Sequence, residues 1–325
     1  MSAPFAHAFD WARRQVDSGA LPTAVLGVAT ASGIVAVDAF GATGARQARV
    51  EDHYRLFSIT KPLVGLAAAR MIEAGLVTPG TPLQADVPTF GGDRDDVVRL
   101  RHLASHTSGI AEPPMDTAAG LEAGLLGQRD FAAGTASRYS TIAFEGIARM
   151  IHARTARTWD VAVADVLDPV GATGLTLDEA SNPHDVVDAV DAGLDLQRFV
   201  ALRHPGAGLI GRAEDLLQIG AALLRDASEI VRPATLAMMR RPLTGDIPRL
   251  DPYTADRGQD WGFTWNLRTR APGLIDRDVY GHAGWSGTQF WVHPTAGVAY
   301  VLLTNRAIQP GVNPDELDNA VVSGI

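Results

Sequence analysis

Apolar residues recur at helical spacing at the start of the chain. Phe5, Phe9, Ala12 and Val16 line one side of a segment predicted to be an amphipathic helix over residues 3–18. The period then changes. Residues 23–30 and 34–40 are dense in apolar and β-branched side chains, and Ala31-Ser32-Gly33 between them predicts a tight hairpin. Helical spacing returns over residues 58–76, with Leu63, Ala67, Met71 and the Ile72/Leu76 pair on one side and Gly75 near the end. From about residue 80 to 240 the chain reads as helices broken by proline and glycine, among them 141–153, 158–167 and 213–224. Strand patterns resume in the last third, at 261–267, 279–282, 288–293 and 298–305, the last two joined by the turn Pro294-Thr295-Ala296-Gly297.

Strands at both ends and helices between them predict an α/β (α+β) protein whose antiparallel sheet is assembled from both chain ends. Residues 1–80 and 240–325 form the expected sheet region and 81–239 an inserted, mostly helical region. The two would act as one catalytic unit with a ligand cleft between them. There is no internal repeat and no low-complexity linker. Within 325 residues, 46% hydrophobic and 20% charged is ordinary for a soluble globular chain. A net charge of −9 without a basic cluster argues against a nucleic-acid partner. The N-terminus lacks the basic and apolar regions of a signal peptide, and no apolar run approaches a membrane span, so a cytoplasmic protein with no membrane partner is expected. With no cysteine, disulfides, thiol catalysis and Cys-based zinc sites are all removed. Oligomeric state is left open.

Of the 28 lysine and arginine residues, one is lysine: Lys61, in Ser58-Ile59-Thr60-Lys61. Arginine serves equally well for surface charge, but it does not lose its proton near neutral pH, whereas a desolvated lysine does. On a helix, residues i and i+3 share a face, so the Ser58 hydroxyl and the Lys61 amine can meet. Ser58 also falls where the helix begins, in the positive field of its N-terminus. Two further clusters carry polar chemistry: Tyr139-Ser140-Thr141 before a predicted helix, and Gly281-His282-Ala283-Gly284-Trp285 at the end of a predicted strand. Other motifs are weaker. Gly206-Ala207-Gly208-Leu209-Ile210-Gly211 matches GxGxxG but follows no predicted strand, so dinucleotide binding is not expected. His102 and His106 have metal-like spacing without a third ligand, so both read as core or capping histidines. No cofactor and no metal is expected.

Taken in order, the three polar clusters resemble the S-x-x-K, Y-x-N and K/H-x-G motifs of SxxK serine hydrolases of the class C β-lactamase type, which include the family VIII carboxylesterases. Arg101-His102-Leu103-Ala104-Ser105-His106-Thr107-Ser108-Gly109-Ile110, Gly206-Ala207-Gly208-Leu209-Ile210, Ala213-Glu214-Asp215-Leu216 and Leu302-Leu303-Thr304-Asn305-Arg306 extend the resemblance across the chain. It implies a β-lactamase/transpeptidase-like fold, with Ser58 as nucleophile, Lys61 as its activating partner and Tyr139 as proton shuttle or base. The backbone N–H groups of Ser58 and Trp285 would form the oxyanion hole, and Thr141, His282, Gly284 and Trp285 would contact substrate. Gly284 would keep an edge strand clear of a side chain, and Trp285 would line an acyl pocket.

Two positions depart from the family pattern. Thr141 stands where Asn is usual and can imitate only part of its amide. His282 stands where many relatives carry a second lysine, removing a fixed cation suited to a penicillin carboxylate. Both departures favour small neutral esters, so the expected activity is carboxylesterase through an acyl-enzyme. β-Lactamase or D-stereospecific peptidase, acyltransferase and a catalytically silent ligand-binding homologue are the rivals.

Overall fold

A computed structural model describes residues 4–225, 228–253, 259–271 and 273–325. Helix α1 (Ala6–Asp17) leads into the hairpin of β1 (Thr23–Thr30) and β2 (Gly33–Thr43), with short β3 (Arg46–Gln47) beyond it. Residue 3, where this helix was expected to start, lies outside the described residues, and the buried stripe is Ala8, Trp11 and Ala12. The chain closes with β6 (Asp260–Trp261), β7 (Asn266–Leu267), β8 (Tyr280–Ala283), β9 (Gln289–His293) and β10 (Val298–Leu303), followed by helix α10 (Pro314–Val322). These strands form one antiparallel sheet in the order β3-β2-β1-β10-β9-β8-β7-β6, so β1 and β10 pair across nearly the whole sequence.

Alternation along β10 divides the interior. Val298, Tyr300 and Leu302 face α1 and α10, while Ala299, Val301 and Leu303 face the helices of the middle of the chain. Those helices are α2 (Thr60–Glu73), α3 (Leu100–Ala104), α4 (Gly120–Leu125), α5 (Ala143–Thr155), α6 (Trp159–Leu167), α7 (Leu196–Ala201), α8 (Ala213–Leu224) and α9 (Pro233–Met239). Helix α8 lies against β1 and β10 and buries Leu216, Leu217, Ile219 and Leu223. Each is worth roughly 1.5–3 kcal/mol of transfer free energy. A two-stranded ribbon of β4 (Tyr54–Arg55) and β5 (Ile210–Gly211) ties the segment before α2 to the one before α8.

Three expectations change in detail. Helix α2 is buried on nearly every side, from Thr60 to Ala69, instead of along one stripe, and Leu76 lies past its end and exposed. The strand expected over 261–267 is two short strands, because Thr264 takes a left-handed φ of 67° and the Gly262 N–H bonds the Trp265 carbonyl. That turn packs on α2 where Gly65 has no side chain; a Cβ there would lie 1.7 Å from Thr264 Oγ1. The third is α10, which has no counterpart in the periodicity reading. Its Asn313 cap accepts the Asp315 N–H, and Pro314 occupies the first turn.

Candidate active site

Leu56 ends the β4 segment, and Phe57 turns the chain with a left-handed φ of 43°. A non-glycine residue in that region is costly, and the turn it makes sets Ser58 in a 3-10 turn, Phe57–Ile59, immediately ahead of α2. Ser58 therefore precedes the α-helix proper. Thr60 anchors the junction from below, its hydroxyl accepting the Leu209 N–H at 3.1 Å.

One turn further on, Lys61 is fully buried. Its Nζ is 3.0 Å from Ser58 Oγ, 3.3 Å from Thr141 Oγ1 and 2.8 Å from the Gly206 carbonyl oxygen. No salt bridge reaches it among the described residues, and its nearest aromatic faces are Tyr139, at 4.7 Å from the centroid, and Phe144, at 5.4 Å. Burial disfavours the ammonium and pulls the Lys61 pKa down to about 7, against the opposing pull of the Glu112 carboxylate. The geometry orients the amine. The Gly206 carbonyl can only accept, so it claims one N–H; with Thr141 accepting a second, the lone pair of the neutral amine is left for Ser58.

Tyr139 is enclosed by aromatic rings: His106 at 4.5 Å, Tyr253 at 5.1 Å, Trp261 at 5.4 Å and His282 at 6.0 Å between centroids. Its hydroxyl is buried and closes no hydrogen bond among the described residues, although Ser58 is near enough to act on it. Desolvation holds the phenol well above its usual pKa, with Tyr253 adding to the shift, so it is neutral and carries a transferable proton. His282 is 1% exposed, and burial, reinforced by the Lys61 charge, drives its pKa down to about 3. Its Nδ1 lies 2.7 Å from the Ala283 carbonyl. It is a neutral ring at pH 7, as the replacement of lysine predicts.

Gly284 follows β8, whose outer side is paired with β7 as far as Gly281, so β8 is not the edge strand expected from the sequence. The physical demand for glycine comes from inside: a Cβ at 284 would lie 2.0 Å from Thr288 Oγ1 and 2.5 Å from the Leu56 carbonyl oxygen. The tight turn that follows is closed by Gly284 N–H to the Thr288 carbonyl at 2.7 Å, and Thr288 Oγ1 donates to the Leu56 carbonyl at 3.3 Å. These bonds tie the Trp285 segment to the Ser58 segment. Neither the Ser58 nor the Trp285 backbone N–H donates to an acceptor among the described residues. The Trp285 ring packs 5.2 Å from Phe57 in an apolar cluster with Phe199 and Leu194.

Two contributors escaped the sequence reading. Glu112 is open to solvent as a residue, yet its carboxylate accepts the Thr141 N–H at 2.9 Å and the Ile142 N–H at 3.2 Å, capping α5. Desolvation raises its pKa, and Lys61 pulls the other way. No spacing marks an acid 29 positions before the Thr141 N–H it accepts. The other is Gly206, part of the GxGxxG match. Its role is to bring a carbonyl to Lys61 while its missing Cβ leaves room for Thr141, whose carbonyl oxygen would otherwise lie 2.8 Å away. The two histidines set aside as ligands do bond the backbone: His102 Nδ1 accepts the Arg99 N–H at 3.2 Å, and buried His106 Nδ1 accepts the Ser140 N–H at 3.0 Å.

A serine bonded to a buried lysine on the first turn of a helix, beside an antiparallel sheet built from both chain ends, defines a serine hydrolase of the β-lactamase/transpeptidase-like fold. The chain belongs to the beta-lactamase family, whose family model matches residues 9–322. Esterase EstB of Burkholderia gladioli is 25% identical over 325 aligned positions, covering 81% of this chain and 80% of the esterase. Among solved structures, a penicillin-binding protein homologue from Caulobacter crescentus superposes with a TM-score of 0.82 at 19% identity, over 100% of this chain and 99% of its own. EstCE1, a hydrolase with promiscuous acyltransferase activity, superposes with a TM-score of 0.79 at 21% identity over 97% of both chains. No described helix is long and apolar enough to cross a membrane.

Proposed function

We propose that this protein is a carboxylesterase acting on small neutral esters through an acyl-enzyme. The neutral amine of Lys61 takes the Ser58 proton as Oγ attacks the ester carbonyl. Oxyanion charge is received by the Ser58 and Trp285 N–H groups, and one such donor is worth roughly 3–4 kcal/mol. The Tyr139 phenol passes a proton to the departing alcohol and is recharged by the proton that Lys61 took from Ser58. Water then repeats the sequence on the acyl-enzyme, releasing the acid. The acyl chain lies toward Trp285 and Phe57, the apolar side of the site.

The observation that carries this reading is the state of His282. A buried, neutral ring occupies the position of the family's substrate-binding cation, so a substrate carboxylate finds no fixed positive charge there. The similarity to Esterase EstB supports the same choice. Hydrolysis of p-nitrophenyl butyrate that disappears in Ser58→Ala, with slow opening of nitrocefin, is the expected result. Fast nitrocefin opening beside slow ester cleavage would replace esterase by β-lactamase.

Acyl transfer to an alcohol in place of water uses the same residues. The description of EstCE1 as a hydrolase with promiscuous acyltransferase activity makes it the second reading. Ester product that rises with added alcohol at constant acyl donor is its signature.

A further inference from the structure

Buried His106 has no part in the mechanism above, yet it grips the segment that carries Tyr139 on both sides of that residue. Its carbonyl oxygen accepts the Arg138 N–H at 3.0 Å, and its ring Nδ1 accepts the Ser140 N–H at 3.0 Å. The Ser140 carbonyl oxygen lies 3.1 Å from the same nitrogen, so either neutral tautomer is bonded to Ser140. Between those two bonds the His106 ring lies 4.5 Å from the Tyr139 ring, 30° from parallel. Trp261 packs against both, at 4.2 and 5.4 Å between centroids.

His106 makes these bonds from a left-handed φ of 58°, a conformation costly for most side chains and accessible to Gly and Asn. Burial, reinforced by the Lys61 charge, holds the ring well below its usual pKa, so it is neutral and keeps a lone pair on one ring nitrogen. The tip of Tyr139 gets no such support: its hydroxyl closes no hydrogen bond among the described residues. The phenol is therefore placed by its backbone and by the faces of its ring, and His106 holds both.

Resting on the esterase reading, we propose that His106 is the positioning residue for Tyr139, holding its phenol where it can protonate the departing alcohol.

Two esters that give the same butyryl-enzyme, p-nitrophenyl butyrate and ethyl butyrate, compare leaving groups through kcat/KM. p-Nitrophenolate departs without a proton, whereas ethoxide needs one, so loss of a placed acid raises the ratio of the two rates. Tyr139→Phe calibrates that rise. His106→Gly, which tolerates the left-handed φ but removes the ring, should raise the ratio about 10²-fold, the effect of misplacing a group by about 1 Å. His106→Asn, which keeps the φ and a polar group near Nδ1, should restore most of it, and His106→Gly should add nothing in the Tyr139→Phe background. His106→Leu, which fills the space without a polar atom, takes the place of glycine if that variant does not fold. A role in stability alone lowers both rates together, so an unchanged ratio in the folded variant overturns the proposal. An asparagine variant no better than glycine, or a further rise in the Tyr139→Phe background, does the same. If Tyr139→Phe leaves the ratio unchanged, or wild type cleaves neither ester, Tyr139 is not the acid and its placement is read from crystal structures. A Tyr139 hydroxyl displaced in the glycine or leucine variant supports positioning by His106, and one left in place refutes it.

Discussion

The amine of Lys61 donates to the carbonyl oxygen of Gly206 at 2.8 Å, joining positions 145 apart in sequence. That bond orients the only lysine of the chain. An acceptor without a proton takes one N–H, Thr141 takes a second, and the remaining valence of the neutral amine points to Ser58.

On the proposed mechanism, titration of this amine, and not its charge, is what position 61 supplies. Lys61→Arg and Lys61→Ala are therefore expected to lose activity to a similar degree, about 10²–10⁴-fold in kcat, the usual contribution of a positioned general base. Retention of substantial ester hydrolysis by the arginine variant would show that charge alone suffices.

The rate should follow deprotonation of Lys61, with kcat/KM for a neutral ester rising on an acidic limb of apparent pKa about 7. Glu112 favours the ammonium, so Glu112→Gln, which keeps an acceptor at the α5 cap, should move that limb to lower pH. A limb that stays in place or moves up would remove Glu112 from the electrostatics of the site.

Stability carries the same signature. The Lys61 pKa is lower folded than unfolded, so between about pH 7 and 10 the unfolded chain binds more protons, and stability rises with pH across that window. Below it the penalty is complete, on the order of 4–5 kcal/mol. Denaturant unfolding of wild type and Lys61→Met, compared at pH 7 and 10, should show wild type gaining on the variant as pH rises. A constant difference would mean that Lys61 is not desolvated.

Gly206→Ala tests the orienting bond without touching a titratable group. Its Cβ would crowd the Thr141 carbonyl and Cγ2, at 2.8 and 2.9 Å. Displacing that turn should cost about 1–3 kcal/mol of stability and lower kcat about tenfold or more. Unchanged kcat in a folded variant would show that the Gly206 carbonyl does not set the direction of the amine.

Much of the scaffold was legible because its signals are local. The β1–β2 hairpin follows from two apolar runs around Ala31-Ser32-Gly33, and α8 occupies residues 213–224 as its periodicity predicts. The break between β6 and β7 was not legible, since it depends on Thr264 being held at positive φ against Gly65 of a distant helix. Likewise Glu112 carries no motif, and the GxGxxG match, from which no dinucleotide binding was expected, did not show that Gly206 serves a close approach to Thr141.

By itself, the sequence determined which side chains can do chemistry: a solitary lysine three residues from a serine, a Tyr-Ser-Thr run, and a histidine where relatives carry a cation. These are matters of residue type and short spacing, which survive without coordinates. The tertiary structure alone decided the state of those groups. The Lys61 and His282 pKa values are lowered by burial among segments far apart in the chain, and the direction of the amine comes from a carbonyl 145 positions away. Desolvation and hydrogen-bond direction depend on what surrounds a group in space, which no local pattern encodes.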